Sequence, residues 1–359
     1  MMERTIDTPI CKLLDIKYPV VLAGMAKVSN SALAAAVTNA GGCGVIGGAM
    51  KTPKQLRDDI AELKALLDNP DASYGVDLLL PQVGGSARKT NVDYTRGALG
   101  EIIDILCEEK PKVFVSAVGV PPKWAVDRLH EAGILVQNMV GHPKHVAKAL
   151  AVGCDIICAQ GYEAGGHTGE IATSVLVPQV VDACKGKTSK LHGGPIAVLA
   201  GGGIYDGRGL AMVLSLGADG AWIGTRFIAA TEAGGTPLHQ KLVLEGSSSD
   251  TLRTTLYTGR PLRCFRTEYN YDWETNRKEE MKSLQAQGIV AYKHQVHTSR
   301  NRGEHFDIAG TFPQYMGQAI GGINKVMPAK EIVEEIMRDA CAIVQQKALM
   351  VKPVPRPRL

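Results

Sequence analysis

Short apolar runs recur through the first two thirds of the chain, separated by segments with helical spacing of apolar and polar positions. The runs cover residues 19–25, 42–48, 74–81, 112–119, 134–140, 155–161, 195–203 and 220–228. Most are continuous rather than alternating, the pattern of parallel strands buried on both faces. Between them lie helix-like stretches such as SNSALAAAVTNAG and PKHVAKALAVG. Four of these end on a glycine just before the next run, at Gly41, Gly133, Gly153 and Gly217. That position suits a left-handed helix cap followed by a short loop into a strand.

Eight such alternations predict an α/β fold, a (β/α)8 barrel, with an open doubly wound sheet as the competing arrangement. After the eighth run the alternation stops. Residues 236–320 carry clustered charges and three of the five phenylalanines. A helical pattern over 329–348 follows. The organisation predicted is a barrel over 1–235, an inserted lid or substrate subdomain over 236–328 that covers the barrel mouth, and a closing barrel helix with a tail over 329–359.

Composition narrows the classes. A net charge of +4 over 359 residues does not suggest nucleic-acid binding, and 45% hydrophobic with 21% charged residues is ordinary for a soluble globular protein. The eight cysteines show no C-x-x-C spacing and are expected to be reduced core residues, with no metal site. Cys154 and Cys158, four apart, are expected to share a strand face. No apolar leader and no run approaching ~18 apolar residues is present, so a cytoplasmic protein without membrane contact is expected. The final Pro-Arg-Leu faintly resembles the peroxisomal Ser-Lys-Leu address, with Pro357 out of pattern.

The densest chemistry lies in AQGYEAGGHTGE, residues 159–170, where glycines surround His167. Glycine loses the most backbone entropy on folding, so a histidine set among glycines implies backbone packed against something. Barrel active sites form from the loops that follow the strands. AGGGIYDGRG after the seventh run and IGTRF at the eighth place Gly201, Gly202, Gly203, Gly224 and Thr225 where such barrels hold a phosphate through backbone N–H groups. GCGVIG (42–47) matches a dinucleotide fingerprint, but it lies inside an apolar run rather than opening a helix, so the match is chance.

Together QGYEAGGHTG, TSVLVPQVVDA, AGGGIYDGRGLAMVLSLGADGAWIGTRFIA and the late MGQAIGGI resemble the nitronate monooxygenase family, formerly called 2-nitropropane dioxygenases. The likeness spans about residues 10–230 and resumes at 316–323. The E-A-G-G-H-x-G stretch is shared with FMN-dependent enoyl-acyl-carrier-protein reductases. The resemblance implies an FMN-binding barrel with the phosphate on Gly201, Gly202, Gly203, Gly224 and Thr225. It places Ala23, Gly24 and Met25 against the ring system, Gln160 and Gly161 beside the ring or ribityl chain, and Gln318 in a late G-Q-x-x-G element. His167 matches the active-site histidine, a base for an acidic C–H or a cation for a bound anion. Glu163 either orients His167 or caps a helix.

The chain departs from the family where Gly24 replaces a usual proline and Asp77, also expected at the cofactor, replaces a usual asparagine. Asn138 and Gly141 stand in place of usual threonines. Histidines 142, 145, 192 and 239 are expected at the surface or as caps, and RNRGEH near 300 as a solvated loop. The activity implied is oxidation of alkyl nitronates with O2. An NAD(P)H-dependent enoyl-thioester reductase and a non-redox phosphate-binding barrel are the alternatives. The expected partners are a small anionic substrate and O2, with no nucleic acid and the oligomeric state left open.

Overall fold

A computed structural model of the chain describes residues 5–351, so the C-terminal Pro-Arg-Leu lies outside the described residues. Eight parallel strands form the sheet: β1 (Val20–Leu22), β2 (Gly44–Gly47), β3 (Tyr74–Leu79), β4 (Val113–Ala117), β5 (Leu135–Val140), β6 (Ile156–Gln160), β7 (Ala197–Gly201) and β8 (Gly220–Ile223). Each neighbours the next, β8 pairs with β1, and a parallel bridge between Val21 and Cys43 joins β1 to β2, so the sheet closes on itself. The open-sheet alternative is excluded by that closure.

The strands are apolar on both faces because both are covered. Inside the barrel, Val21, Val45, Val115, Ile156, Leu199 and Trp222 pack together, and the helix Pro9–Leu14 closes the lower end with Ile10 and Leu14. Outside, helices such as Ser31–Asn39, Pro53–Leu66 and Thr173–Cys184 bury their apolar sides on the sheet. The helix Ala329–Ala348 packs on Ser31–Asn39 and Gly207–Ser215, the place of the eighth barrel helix. Gly41, Gly133, Gly153 and Gly217 all take positive φ, between 77° and 109°, as their helix-ending role requires.

One expectation is corrected. Cys154 packs with the outer helices and Cys158 inside the barrel, because Cys154 precedes the strand and does not share its alternation. No helix among the described residues is long and apolar enough to cross a membrane.

Between β8 and the last helix, the chain forms an antiparallel hairpin, Thr251–Thr254 with Leu262–Phe265, and the helices Glu268–Thr275, Lys278–Ala286 and Ala291–Asn301. These elements share a small apolar core of Leu256, Leu262, Cys264, Trp273 and Met281. The hairpin's second strand pairs with Gly166–His167 of the loop after β6, so barrel and insertion are joined by one three-stranded sheet.

Packing of the helix Ser31–Asn39 on β2 relies on Gly44, where an added Cβ would overlap the backbone of Ala34. Gly44→Ala should lower the thermal midpoint, reflecting a cost of about 1–3 kcal/mol for overpacking. Gly100, in the helix Leu99–Glu109, has open space around it, so Gly100→Ala should raise the midpoint through helix propensity, by about 1 kcal/mol. Thermal denaturation of the two variants checks the pair, and equal midpoints would contradict the packing described.

Candidate active site

Two cavities open at the C-terminal ends of the strands, the end where barrels of this kind place their chemistry. The first encloses about 430 Å³, a size typical of a small-molecule or cofactor site. Ala23, Gly24 and Met25, which follow β1, form one side with Asp77 of β3. Gly202 and Gly203 after β7, with Gly224 and Thr225 after β8, form another, and Gln160 and His167 complete the wall. Gly202 and Gly203 sit at φ 104° and 74°, a conformation open to glycine, and leave bare backbone facing the cavity.

Three of the sequence-derived positions lie off this wall. A Cβ on Gly161 would overlap Thr173, and its amide donates to Gly201 O at 2.8 Å. A Cβ on Gly201 would press on Trp222 at 3.0 Å. These two glycines let neighbouring chain segments meet. Gln318 serves through its backbone, its N–H donating to Glu163 O at 2.9 Å and its carbonyl accepting from Ser248 at 2.7 Å.

His167 is held from several directions. Its backbone pairs with Leu262, and its carbonyl accepts from the Gln160 side chain at 2.6 Å. Its Nε2 lies 3.0 Å from Thr258 Oγ1, a contact across 91 positions of sequence. Among the described residues, Nδ1 has no hydrogen-bond partner. Burial, and secondarily the charge of Arg260, pulls the His167 pKa down to about 4. Burial therefore favours the neutral ring at physiological pH. Glu163 does not touch it. The carboxylate accepts from Thr173 N at 3.0 Å and lies 2.9 Å from its hydroxyl, capping the helix Thr173–Cys184.

Asp77 and Gly24 belong together. The space that a Cβ on residue 24 would fill is occupied by the Asp77 carboxyl group. Asp77 is buried, its Oδ1 has no partner, and burial raises its pKa well above the carboxylate range. A protonated carboxyl group has the shape and the mixed donor–acceptor edge of an amide. Asn138 and Gly141 line a neighbouring cleft and are also tied into the scaffold. The Asn138 amide donates to Ser116 O and Gly119 O at 3.0 and 2.6 Å, and Gly141 packs against Gly169.

The second cavity is a larger cleft of about 1370 Å³ between the loops after β3, β4, β5 and β6. Val118, Met139, Gln160 and His167 line both cavities, so His167 stands on the wall between them. Val118 has φ 70°, strained for a β-branched residue and worth about 1–3 kcal/mol. Its carbonyl accepts from Arg260 at 3.0 Å, and Arg260 also donates to Asn91 at 2.8 Å. Arg88 donates to Gly259 O at 3.1 Å. Neither arginine has a carboxylate partner among the described residues.

Thr258, Arg260, Tyr94 and Tyr315 reach the cavities from the insertion and the loop after β3 without any local sequence signal. His239, expected at the surface or as a cap, is instead buried on the first cavity's wall with Nε2 2.9 Å from Tyr315 O. His142 and His145 line the cleft, and His142 accepts from Lys144 N as a cap. The 300–305 loop is exposed and lines neither cavity.

Against known proteins, residues 7–339 match the family model described as nitronate monooxygenase. A (3aS,4S,5R,7aS)-5-hydroxy-7a-methyl-1-oxo-octahydro-1H-indene-4-carboxyl-CoA dehydrogenase of Mycobacterium tuberculosis is 35% identical, over 73% of this chain and 66% of the relative. The solved structure of FabK from Thermotoga maritima superposes with a TM-score of 0.77 at 29% identity, covering 97% of this chain and all of that one. A nitroalkane oxidase from Streptomyces ansochromogenes gives 0.74 at 26% identity, over 95% of this chain and 99% of that one.

The state of Asp77 has a measurable consequence. An unfolded aspartate releases its proton near pH ~4, whereas buried Asp77 keeps it. Above that pH the native state binds the extra proton, so stability falls as pH rises until Asp77 itself ionises. Asp77→Asn removes this loss. The variant's gain in melting temperature over the parent should widen as pH rises above about 4. A gain independent of pH would show that Asp77 is ionised in the fold.

Proposed function

We propose that this chain, which belongs to the nitronate monooxygenase family and is an oxidoreductase, binds FMN in the glycine-walled cavity and oxidises alkyl nitronates with O2. One observation carries the reading. His167, neutral and clamped, stands between a cofactor-sized cavity and a cleft whose Arg88 and Arg260 lack carboxylate partners.

The residues present fit a flavin. Gly202 and Gly203, with Gly224 and Thr225, offer backbone where a phosphate would be held without a lysine. Ala23 to Met25 provide a low wall for a flat ring, and the unpartnered Asp77 Oδ1 awaits a polar edge such as a ring system presents. A single cradle suits a mononucleotide rather than an adenylate-bearing flavin. When bound, FMN supplies a two-electron acceptor that O2 can reoxidise.

Arg260 supplies the positive charge that an incoming anion requires, in a site where burial strengthens the attraction. His167 contributes a positioned hydrogen bond to that anion. With a pKa of about 4 it is a weak base, poorly matched to removing a carbon-bound proton at neutral pH. The substrate best suited to the site is therefore already ionised, a nitronate rather than a neutral nitroalkane. Thr258 fixes the ring's orientation, and Gln160 holds the backbone that carries it.

Heat release of the pigment from purified protein should yield FMN, and FAD as the main species would overturn the cofactor assignment. Gly224 has φ −110°, and a Cβ there would meet Ala23 Cβ at 3.3 Å and Met25 Sδ at 3.4 Å, so Gly224→Asp should fold with a small adjustment yet lose its flavin as a carboxylate enters the cavity. Full flavin content in that variant would place the phosphate elsewhere.

His167→Ala should keep FMN and lose about 10²–10³-fold in anaerobic flavin reduction by nitronate, the scale of one lost preorganised donor. The parent should be reduced faster by a nitronate than by its neutral nitroalkane. Bleaching by NAD(P)H alone would transfer the assignment to a thioester reductase.

A further inference from the structure

The turn that faces His167 is held on every side except at one hydroxyl. Gly259 takes φ 71°, its N–H donates to Thr255 O at 2.8 Å and its carbonyl accepts from Arg88 at 3.1 Å. The Arg260 guanidinium is tied to Asn91 at 2.8 Å and to Val118 O at 3.0 Å. On the facing segment, the His167 backbone pairs with Leu262 and its carbonyl accepts from Gln160. Thr258 Oγ1 is thereby kept 3.0 Å from His167 Nε2, while the hydroxyl proton can rotate.

That hydroxyl has three polar neighbours and one proton. Besides Nε2, Arg260 N–H points at it and Arg260 O lies within its reach, each at 3.3 Å. Neither backbone group has another hydrogen-bond partner among the described residues. A hydroxyl donates once and accepts twice, and a neutral imidazole carries its proton on one nitrogen alone. With the Thr258 proton on Arg260 O, Oγ1 accepts from Arg260 N and from a protonated Nε2, and all three neighbours are satisfied. His167 then leaves Nδ1 as a bare acceptor on the wall between the two cavities. With the Thr258 proton on Nε2, Arg260 O loses its partner and Nδ1 carries the ring proton. The first arrangement makes one bond more, so the empty site favours it. An anion reverses the order. A bare Nδ1 repels it, whereas Nδ1–H gives a charge-assisted bond, roughly twice as strong as the neutral one given up at Arg260 O.

We propose that Thr258 is a positioning residue that switches the His167 tautomer, holding Nε2–H while the site is empty and turning its hydroxyl onto Nε2 when an anion takes Nδ1–H. The ring gives up its Nε2 proton and gains one at Nδ1 by exchange with water, so its charge is unaltered and no net proton is released. The proposal rests on the reading above that an anion meets His167. It explains how a ring that is a weak base becomes a hydrogen-bond donor when the substrate arrives.

Two-bond proton–nitrogen NMR correlations of histidine-labelled, flavin-loaded protein at neutral pH read the tautomer directly, with His167→Gln identifying the signal. Isobutyrate, a carboxylate with the shape of propane-2-nitronate that cannot reduce the flavin, serves as the anion. The parent should show Nε2–H alone without isobutyrate, and Nδ1–H once the flavin spectrum shows the site saturated. Thr258→Val should replace the single empty-site form by a mixture of the two, and Thr258→Ser should restore both the single form and its response. Nδ1–H in the empty parent, or a parent-like tautomer in Thr258→Val, overturns the proposal. Isobutyrate that binds without moving the proton also overturns it and leaves the nitronate reading standing. Isobutyrate that fails to bind overturns it as well, and flavin reduction by nitronate in the same preparation then decides separately whether the nitronate reading survives.

Discussion

The pairing of Gly166 and His167 with Leu262 and Arg263 is the contact on which the site depends. It makes the loop after β6 into one strand of a sheet whose other two strands belong to the insertion. The same pairing brings Thr258 to the imidazole and Arg260 to the cleft beside it. A loop of four glycines would otherwise have little to fix it. Backbone hydrogen bonds on one side and the Gln160 amide on the other convert a flexible segment into a rigid partition between two cavities.

The electrostatics of that partition follow from what is missing. Carboxylates near the site are neutralised or occupied. Burial favours the protonated form of Asp77, and Glu163 caps the start of the helix Thr173–Cys184. The imidazole is kept uncharged by the same burial, aided by a nearby guanidinium. What remains is positive charge on Arg260 and Arg88 with only neutral oxygens around it. An enclosed site arranged this way discriminates by charge before shape, favouring ligands that arrive as anions.

Much of this was legible in the sequence for specific physical reasons. Strands buried on both faces leave continuous apolar runs, and helices that end in left-handed turns leave glycines at Gly41, Gly133, Gly153 and Gly217. Loops after strands are where ligands bind, so 202–203 and 224–225 were legible from position and 23–25 from the family resemblance, and all of them line the first cavity. Glycine is ambiguous, however. Gly161 was placed beside the flavin and Gly201 in the phosphate cradle, and the side-chain space at each is filled by Thr173 and Trp222. Thr258 and Arg260 were missed because a contact spanning about ninety positions, made through short irregular strands, has no periodicity to detect. The Asp77–Gly24 exchange was visible as two departures from the family, but only their shared volume explains why they occur together.

The last helix, Ala329–Ala348, closes the barrel against Ser31–Asn39, a segment made some three hundred residues earlier in sequence. Contacts of such separation carry a large chain-closure entropy and form late. During synthesis, the faces of Ser31–Asn39 and Gly207–Ser215 that this helix covers stay open until the intervening chain has emerged. The insertion is thus a delay in the assembly line as well as a wall of the site. Its Trp273-centred core, able to collapse locally, shortens the effective loop that the final docking step must close.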